Sequence, residues 1–352
     1  MRLKDKKCIL ALVLVLLFLS GCTSSAQPTS AQKDDISRTV FAMDTVMELS
    51  PCGEHGKEAC DLAEARIQSL ESLLSVTLPD SEIYAVNHAS GKAVSLSDDT
   101  FALLRAALDW CGRTDGALDI SVYPVLRTWG FTTGSYDVPS AETIAALLED
   151  VDYHRVALDA DAHTVTIPEN MEIDLGSVAK GYTGDVVMQI FRDCGVKSGM
   201  VSLGGNVQVL GTKPDGTNWH IAVQDPLGEG YVGIVEVADQ AVITSGGYER
   251  YFERDGVTYW HILDPATGQP ARSGVVSATV IGANGTMCDA LSTSLFVMGA
   301  ERAAAFWRAN AALGFDFVLV LDDGSLVISE GIEDRFTPCG DWEDAEIEVI
   351  RR

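Results

Sequence analysis

The sequence predicts an α+β fold: one mixed domain with helices mainly in its first half and sheet mainly in its second. Three observations predict it. Apolar residues recur at helical spacing in three stretches before residue 152, whereas β-branched and alternating runs dominate after residue 160. Between them, "IDLGSVAKGYTGD" (173–185) reads as a strand end that turns at Gly176-Ser177 and feeds a helix near Ser177–Ala179. No repeat and no linker interrupts residues 37–352, a length that supports one substantial core.

The elements follow in order. In "ACDLAEARIQSLESLLS" (59–75), Ile67, Leu70 and Leu74 share one helical face. "TFALLRAALDWCGRT" (100–114) repeats the signal with Phe101, Leu104, Leu108 and Cys111. "PSAETIAALLEDV" (139–151) offers Ser140 as N-cap and Glu142 in the first turn. Strands are expected at 163–167, 231–237, 258–263 and 275–282, and "FDFVLVLDDGSLVIS" (315–329) reads as strand, Asp-Gly turn, strand. Two further helices are expected near 288–298 and 300–311.

The first 21 residues predict a cleaved signal peptide. Arg2, Lys4, Lys6 and Lys7 precede an apolar run at 8–19 that is short for a membrane span. "LSGC" (19–22) resembles a bacterial lipobox, which makes Cys22 the lipidated residue, the palmitate-bearing N-terminus of an exported protein anchored on the outer side of the cell membrane. The polar stretch 23–36 then reads as a flexible tether.

Charge narrows the partners. The chain carries 25 basic and 51 acidic residues, a formal charge of −26. Residues 1–21 contribute +3, so the mature chain stands near −29. Such a surface repels nucleic acid and anionic headgroups, so membrane attachment rests on the lipid. An anionic substrate would need a local positive device. Six scattered cysteines remain, with no CxxC pair; Cys52 and Cys60 are one candidate bridge, and a zinc site is not expected.

Two motifs suggest a phosphate and metal site. At 173–185 the first N–H groups of a helix would face an anion, Gly176 would admit a ligand, Lys180 would add charge and Asp174 would accept hydrogen bonds. The plain alternative has Asp174 capping the helix and Lys180 solvated. In "TMCDALSTSLFVMG" (286–299), Asp289 and Thr293 share a helix face and offer two hard oxygens, which suit Mg2+. The alternative makes Asp289 an N-cap. His261 lies mid-strand in "YWHIL", where a structural role is the commoner one. Ser245 lacks the GxSxG elbow of a hydrolase. "GALDISVYPVLRTWGF" (116–131) places an aspartate after a Gly turn, and "VSLGGNVQVLG" (201–211) is a strand broken at Gly204-Gly205.

These pieces, with "FAMDT" (41–45), "LLSVTLPDSEIYAVN" (73–87), "TSGGYER" (244–250) and "WHILDPATGQP" (260–270), stand in the order found in ApbE-type FAD:protein FMN transferases, which the chain resembles over most of its mature length. The resemblance implies an ApbE-like architecture and a Mg2+-dependent transfer of FMN from FAD to a threonine of an acceptor redox protein, with release of AMP. It implies FAD contacts at Met43, Ala117, Leu118, Asp119, Asp174, Lys180 and Leu263. It implies metal contacts through the Ser177 carbonyl, Asp289 and Thr293, and His261 beside the dinucleotide as the candidate base. Asp44 stands where the family often has Gly, Thr77 near a common aromatic, and Trp260 where a second His is frequent. Two other readings stay open: an FAD pyrophosphatase giving FMN and AMP, and a non-catalytic flavin-binding lipoprotein.

Overall fold

The computed structural model describes residues 36–352; the signal peptide, Cys22 and the tether up to residue 35 lie outside the described residues. A nine-stranded sheet forms the frame. Its spatial order is Arg38–Ala42, Thr45–Cys52, Ser198–Leu203, Asn206–Leu210, Ala241–Gly246, Val275–Gly282, Asp316–Leu321, Leu326–Ser329 and Ile347–Ile350. Every neighbouring pair is antiparallel except the last.

Helices cover one face. Val40, Met47, Leu49 and Val201 meet Ala63 and Ile67 of the Gly56–Leu74 helix and Val187 and Phe191 of the Ala179–Asp193 helix. Further along, Ile243, Val280 and Phe317 pack on Leu291 and Leu295 of the Gly285–Ala309 helix. On the other face, Val242, Ile281 and Val318 meet a three-stranded sheet of 336–338, 231–237 and 219–224 through Ile221, Val235 and Phe336. The result is three layers around buried apolar surface. Among the described residues no helix is long and apolar enough to cross a membrane.

The helices form where periodicity placed them: Gly56–Leu74, Asp98–Arg113 and Ala141–Leu148. The Ser140 hydroxyl accepts from the Thr143 N–H, the N-cap bond that its sequence position predicts. The two expected C-terminal helices run together across a kink at Gly299, whose φ of 77° lies outside the helical region.

Several expectations are corrected. Ile173–Leu175 is an extended segment outside any sheet, tied by the Asp174 N–H to the Ile120 carbonyl at 2.9 Å. The 201–211 stretch is a hairpin rather than one interrupted strand, because Gly204 (φ 62°) and Gly205 (φ 92°) form its two-residue turn. The 258–263 strand stops at Trp260, so His261 sits in a bend before the short strand Leu263–Asp264. Cys52 and Cys60 are both free thiols. The Arg38–Cys52 hairpin escaped the sequence reading, although Met47 and Leu49 alternate with Val46 and Glu48 across it.

Candidate active site

One open cavity of about 1010 Å³ lies where the helical layer, the Met43–Asp44 turn and the 248–263 segment converge. It gathers Met43, Ala117, Leu118, Asp119, Asp174, Ser177, Lys180, His261, Leu263, Asp289 and Thr293, all the residues singled out from the sequence for flavin, metal and base roles.

Two helices bring the central groups together. Lys180 stands in the first turn of the Ala179–Asp193 helix. Asp289 projects from the Gly285–Ala309 helix, whose N-cap is Asn284, so Asp289 is free of the capping role that was its plain alternative. Its Oδ2 accepts from the Gly181 N–H at 2.7 Å, and its Oδ1 accepts from Asn206 Nδ2 at 2.9 Å. The first turn is therefore less open to an outside anion than expected: the Gly181 N–H is taken by Asp289, and the Ala179 N–H by the Leu175 carbonyl.

Close backbone packing sets this geometry. A Cβ on Gly181 would lie 2.3 Å from the Gly285 oxygen, and one on Gly285 would lie 1.9 Å from Gln208 Nε2. Only glycine lets the helices approach so closely. Gln208 Nε2 donates to the Gly181 carbonyl at 2.9 Å, and Asp185 accepts from the N–H groups of Gly285 and Thr286 at 2.6 and 2.8 Å.

The donor set suits a hard cation. Asp289, Thr293 and the Ser177 carbonyl supply oxygen only, and the donors already on Asp289 leave each carboxylate oxygen a lone pair. Thr293 Oγ1 lies 3.1 Å from Ser245 Oγ, which also lies 2.8 Å from Ser292 Oγ. Among the described residues no three His, Cys, Asp or Glu side chains converge as a metal cluster. Burial raises the Asp289 carboxyl above its ordinary value, while Lys180 and the two hydrogen bonds oppose the rise. A bound cation would favour the carboxylate.

His261 forms the facing wall. Its N–H donates to the Arg250 carbonyl at 3.0 Å, and Nδ1 lies 3.3 Å from the same oxygen. A carbonyl only accepts, so this contact assigns the proton to Nδ1 and leaves Nε2 as the basic nitrogen. Burial, with Arg250 and Lys180 nearby, pushes His261 down to about 4 and keeps the ring neutral. Ser245 bonds to Ser292 and Thr293 rather than to His261, so no serine–histidine pair forms.

The remaining residues shape the walls. Asp174 is not a helix cap; its Oδ1 accepts from the Gly176 N–H at 3.1 Å, and burial raises its pKa. Asp119 lines the cavity, but its carboxylate is held by Ser121 and by the Tyr153 N–H. Ala117, Leu118 and Leu263 are buried apolar wall. Met43 (φ 50°) and Asp44 (φ 58°) share a left-handed turn, a backbone conformation that favours Gly at the second position. Sequence reasoning gave no role to Gly181, Asn206, Glu249 or Arg250. Their signals lay inside the quoted motifs "AKGY", "LGGN" and "GYER".

A sequence model described as the ApbE family matches residues 43–315 of this chain. The chain belongs to the ApbE family. A relative named FAD:protein FMN transferase from Treponema pallidum is 34% identical over 286 residues, 76% of this chain and 78% of that protein. One of the same name from Vibrio cholerae is 32% identical over 314 residues, 88% of this chain and 92% of that protein. The crystal structure of the ApbE protein from Thermotoga maritima superposes with a TM-score of 0.81 at 33% identity, covering 85% of this chain and 98% of that one. The flavin transferase ApbE from Vibrio cholerae gives 0.77 at 29%, covering 85% and 98%. The α+β architecture of this ApbE-family chain is thus that of solved relatives.

Proposed function

We propose that this protein is a Mg2+-dependent FAD:protein FMN transferase, which moves FMN from FAD to a threonine hydroxyl of an acceptor protein and releases AMP. The observation that carries the reading is the single cavity in which the carboxylate–hydroxyl pair Asp289 and Thr293, the cation Lys180 and the neutral imidazole of His261 meet. Family membership and the relatives' shared activity support the same reading.

The chemistry balances with these groups. The acceptor oxygen forms a bond to the phosphorus on the riboflavin side. The bond from that phosphorus to the oxygen bridging to AMP breaks, and AMP leaves with that oxygen. His261 Nε2 takes the hydroxyl proton. Asp289, Thr293 and the Ser177 carbonyl would hold Mg2+, which supplies charge neutralisation at the phosphate oxygens. Lys180 adds a second positive charge there. Leu118 and Leu263 offer apolar surface to the isoalloxazine, and the surrounding walls hold the donor in place while the hydroxyl approaches.

Export and lipid attachment at Cys22 complete the proposal, supported by the short apolar run ending in "LSGC". The acceptor is then an extracytoplasmic redox protein, and tethering both partners to one membrane raises their effective concentration. The deciding experiment incubates the protein with FAD, Mg2+ and a candidate acceptor domain and reads intact mass. The expected product is an acceptor heavier by FMN, lost when its threonine becomes alanine. FAD consumed equally fast without any acceptor, with no protein gaining mass, would make the enzyme a pyrophosphatase.

A further inference from the structure

Six carboxylates line the cavity: Asp44, Glu71, Asp119, Asp174, Glu249 and Asp289. Only two lysine or arginine side chains join them, Lys180 and Arg250. Among the described residues, neither cation forms an ion pair or a side-chain hydrogen bond with any protein group. Several other arginines are paired, among them Arg38 with Asp61 and Glu64, Arg66 with Asp99, and Arg127 with Glu172, whereas the exposed Arg105 and Arg302 are not paired within the described residues and do not line this cavity. Arg250 is exposed and lines the cavity, so its guanidinium is open to an anion that arrives from outside.

We propose that Arg250 is the residue that grips the phosphate on the riboflavin side of FAD, the phosphate that is transferred. The inference rests on the FMN-transfer reading of the site. The position of Arg250 singles out that phosphate. Its carbonyl is the partner of both the His261 N–H and Nδ1, so the backbone of Arg250 is fixed to the base. The base must stand beside the phosphorus that the hydroxyl attacks, and the Arg250 charge acts on the His261 ring from the same cavity, which puts the guanidinium within reach of that phosphate. Lys180 also lies near His261, but it stands on the helix whose first turn holds Asp289.

The local fold supports this placement. The Gly247 N–H donates to the Val276 carbonyl at 3.2 Å, and a Cβ there would press on the Trp260 ring at 3.0 Å. The turn therefore leaves its strand tightly and returns Tyr248, Glu249 and Arg250 to the cavity wall. Past Arg250, Phe252 and Tyr259 stack at 5.1 Å and anchor the hairpin in an aromatic cluster with Trp129 and Phe131. A planar guanidinium can bind two phosphate oxygens at once, which a lysine cannot.

FMN and riboflavin differ by this one phosphate, so they isolate the contact. Both are titrated, with FAD, against the full chain and its Arg250→Ala and Arg250→Lys variants, following flavin fluorescence at fixed ionic strength. The wild type is expected to bind FMN more tightly than riboflavin. Arg250→Ala should weaken FMN and FAD about 10- to 100-fold, the range for a charge-assisted contact, and leave riboflavin unchanged. Arg250→Lys should recover part of the loss. A variant that keeps the wild-type preference for FMN overturns the proposal. So does an equal loss of riboflavin affinity, which marks a structural role. Wild-type protein that binds no flavin at all defeats the flavin reading itself, an outcome distinct from either of these.

Discussion

The Gly181 N–H donates to the Asp289 carboxylate at 2.7 Å, and this contact joins the helix that carries Lys180 to the helix that carries Asp289 and Thr293. The candidate site is therefore assembled across a helix–helix seam. Its geometry depends on how closely two backbones approach.

Gly181→Ala tests the seam. The added methyl would lie 2.3 Å from the Gly285 oxygen and 2.7 Å from the Asp289 Cβ, and backbone cannot swing aside as a side-chain tip can. The expected cost is about 1–3 kcal/mol, as for other overpacked sites. Urea denaturation should show a lower midpoint, and AMP release from FAD should fall with it. An unchanged midpoint would show that the helices separate without cost.

Asp289→Ala removes the carboxylate of the proposed metal site and leaves the Gly181 N–H and the Asn206 amide without their acceptor. Each unsatisfied buried donor costs about 1–3 kcal/mol. Asp289→Asn keeps the shape and bears less of that cost. Both variants should lose Mg2+-dependent AMP release while the asparagine variant stays folded by circular dichroism. Undiminished turnover that resists EDTA would refute the metal assignment.

His261 sets an expected pH response. Its folded pKa is pushed down to about 4, below the ordinary histidine value of about 6.5. The imidazole thus remains a base until the pH falls through about 4. At saturating Mg2+, the limb of acceptor-dependent turnover assigned to this base should lie near 4 rather than near 6.5. Stability follows the same sign. The unfolded chain takes up the proton first, so the contribution of the neutral ring is full above about 6.5 and is lost as pH falls toward 4. The difference in unfolding free energy between wild type and His261→Gln should shrink over that window. A limb near 6.5 that vanishes in His261→Gln would contradict the neutral assignment.

Cys22→Ala addresses the proposed anchor. In the native host it should move the protein from the membrane fraction to the soluble one or block its processing. Mass spectrometry of mature wild-type protein showing an unmodified Cys22 would rule the anchor out.

Local patterns carried much of the fold and pointed to Asp174, Lys180, Asp289 and Thr293, while the resemblance to a known family supplied Met43, Ala117, Leu118 and Leu263. Periodicity marked the helices because each buries one stripe, and the oxygen pair at 289 and 293 was legible because a helix repeats every 3.6 residues. The Arg38–Cys52 hairpin was readable from its alternation, yet its place as the edge of the nine-stranded sheet was not, because its partner strand lies almost 150 residues away. The strand expected through His261 ends at Trp260, although the His261 N–H still donates to the Arg250 carbonyl, the next pair in the hairpin's register, and Nδ1 lies against the same oxygen. That contact, the Gly181–Asp289 bond and the unpaired state of Arg250 are set by tertiary structure. Sequence spacing fixes which side chains share one helix or strand. Whether a glycine faces another backbone, or an arginine in an acidic chain stays unpaired, depends on distances between segments far apart in the chain.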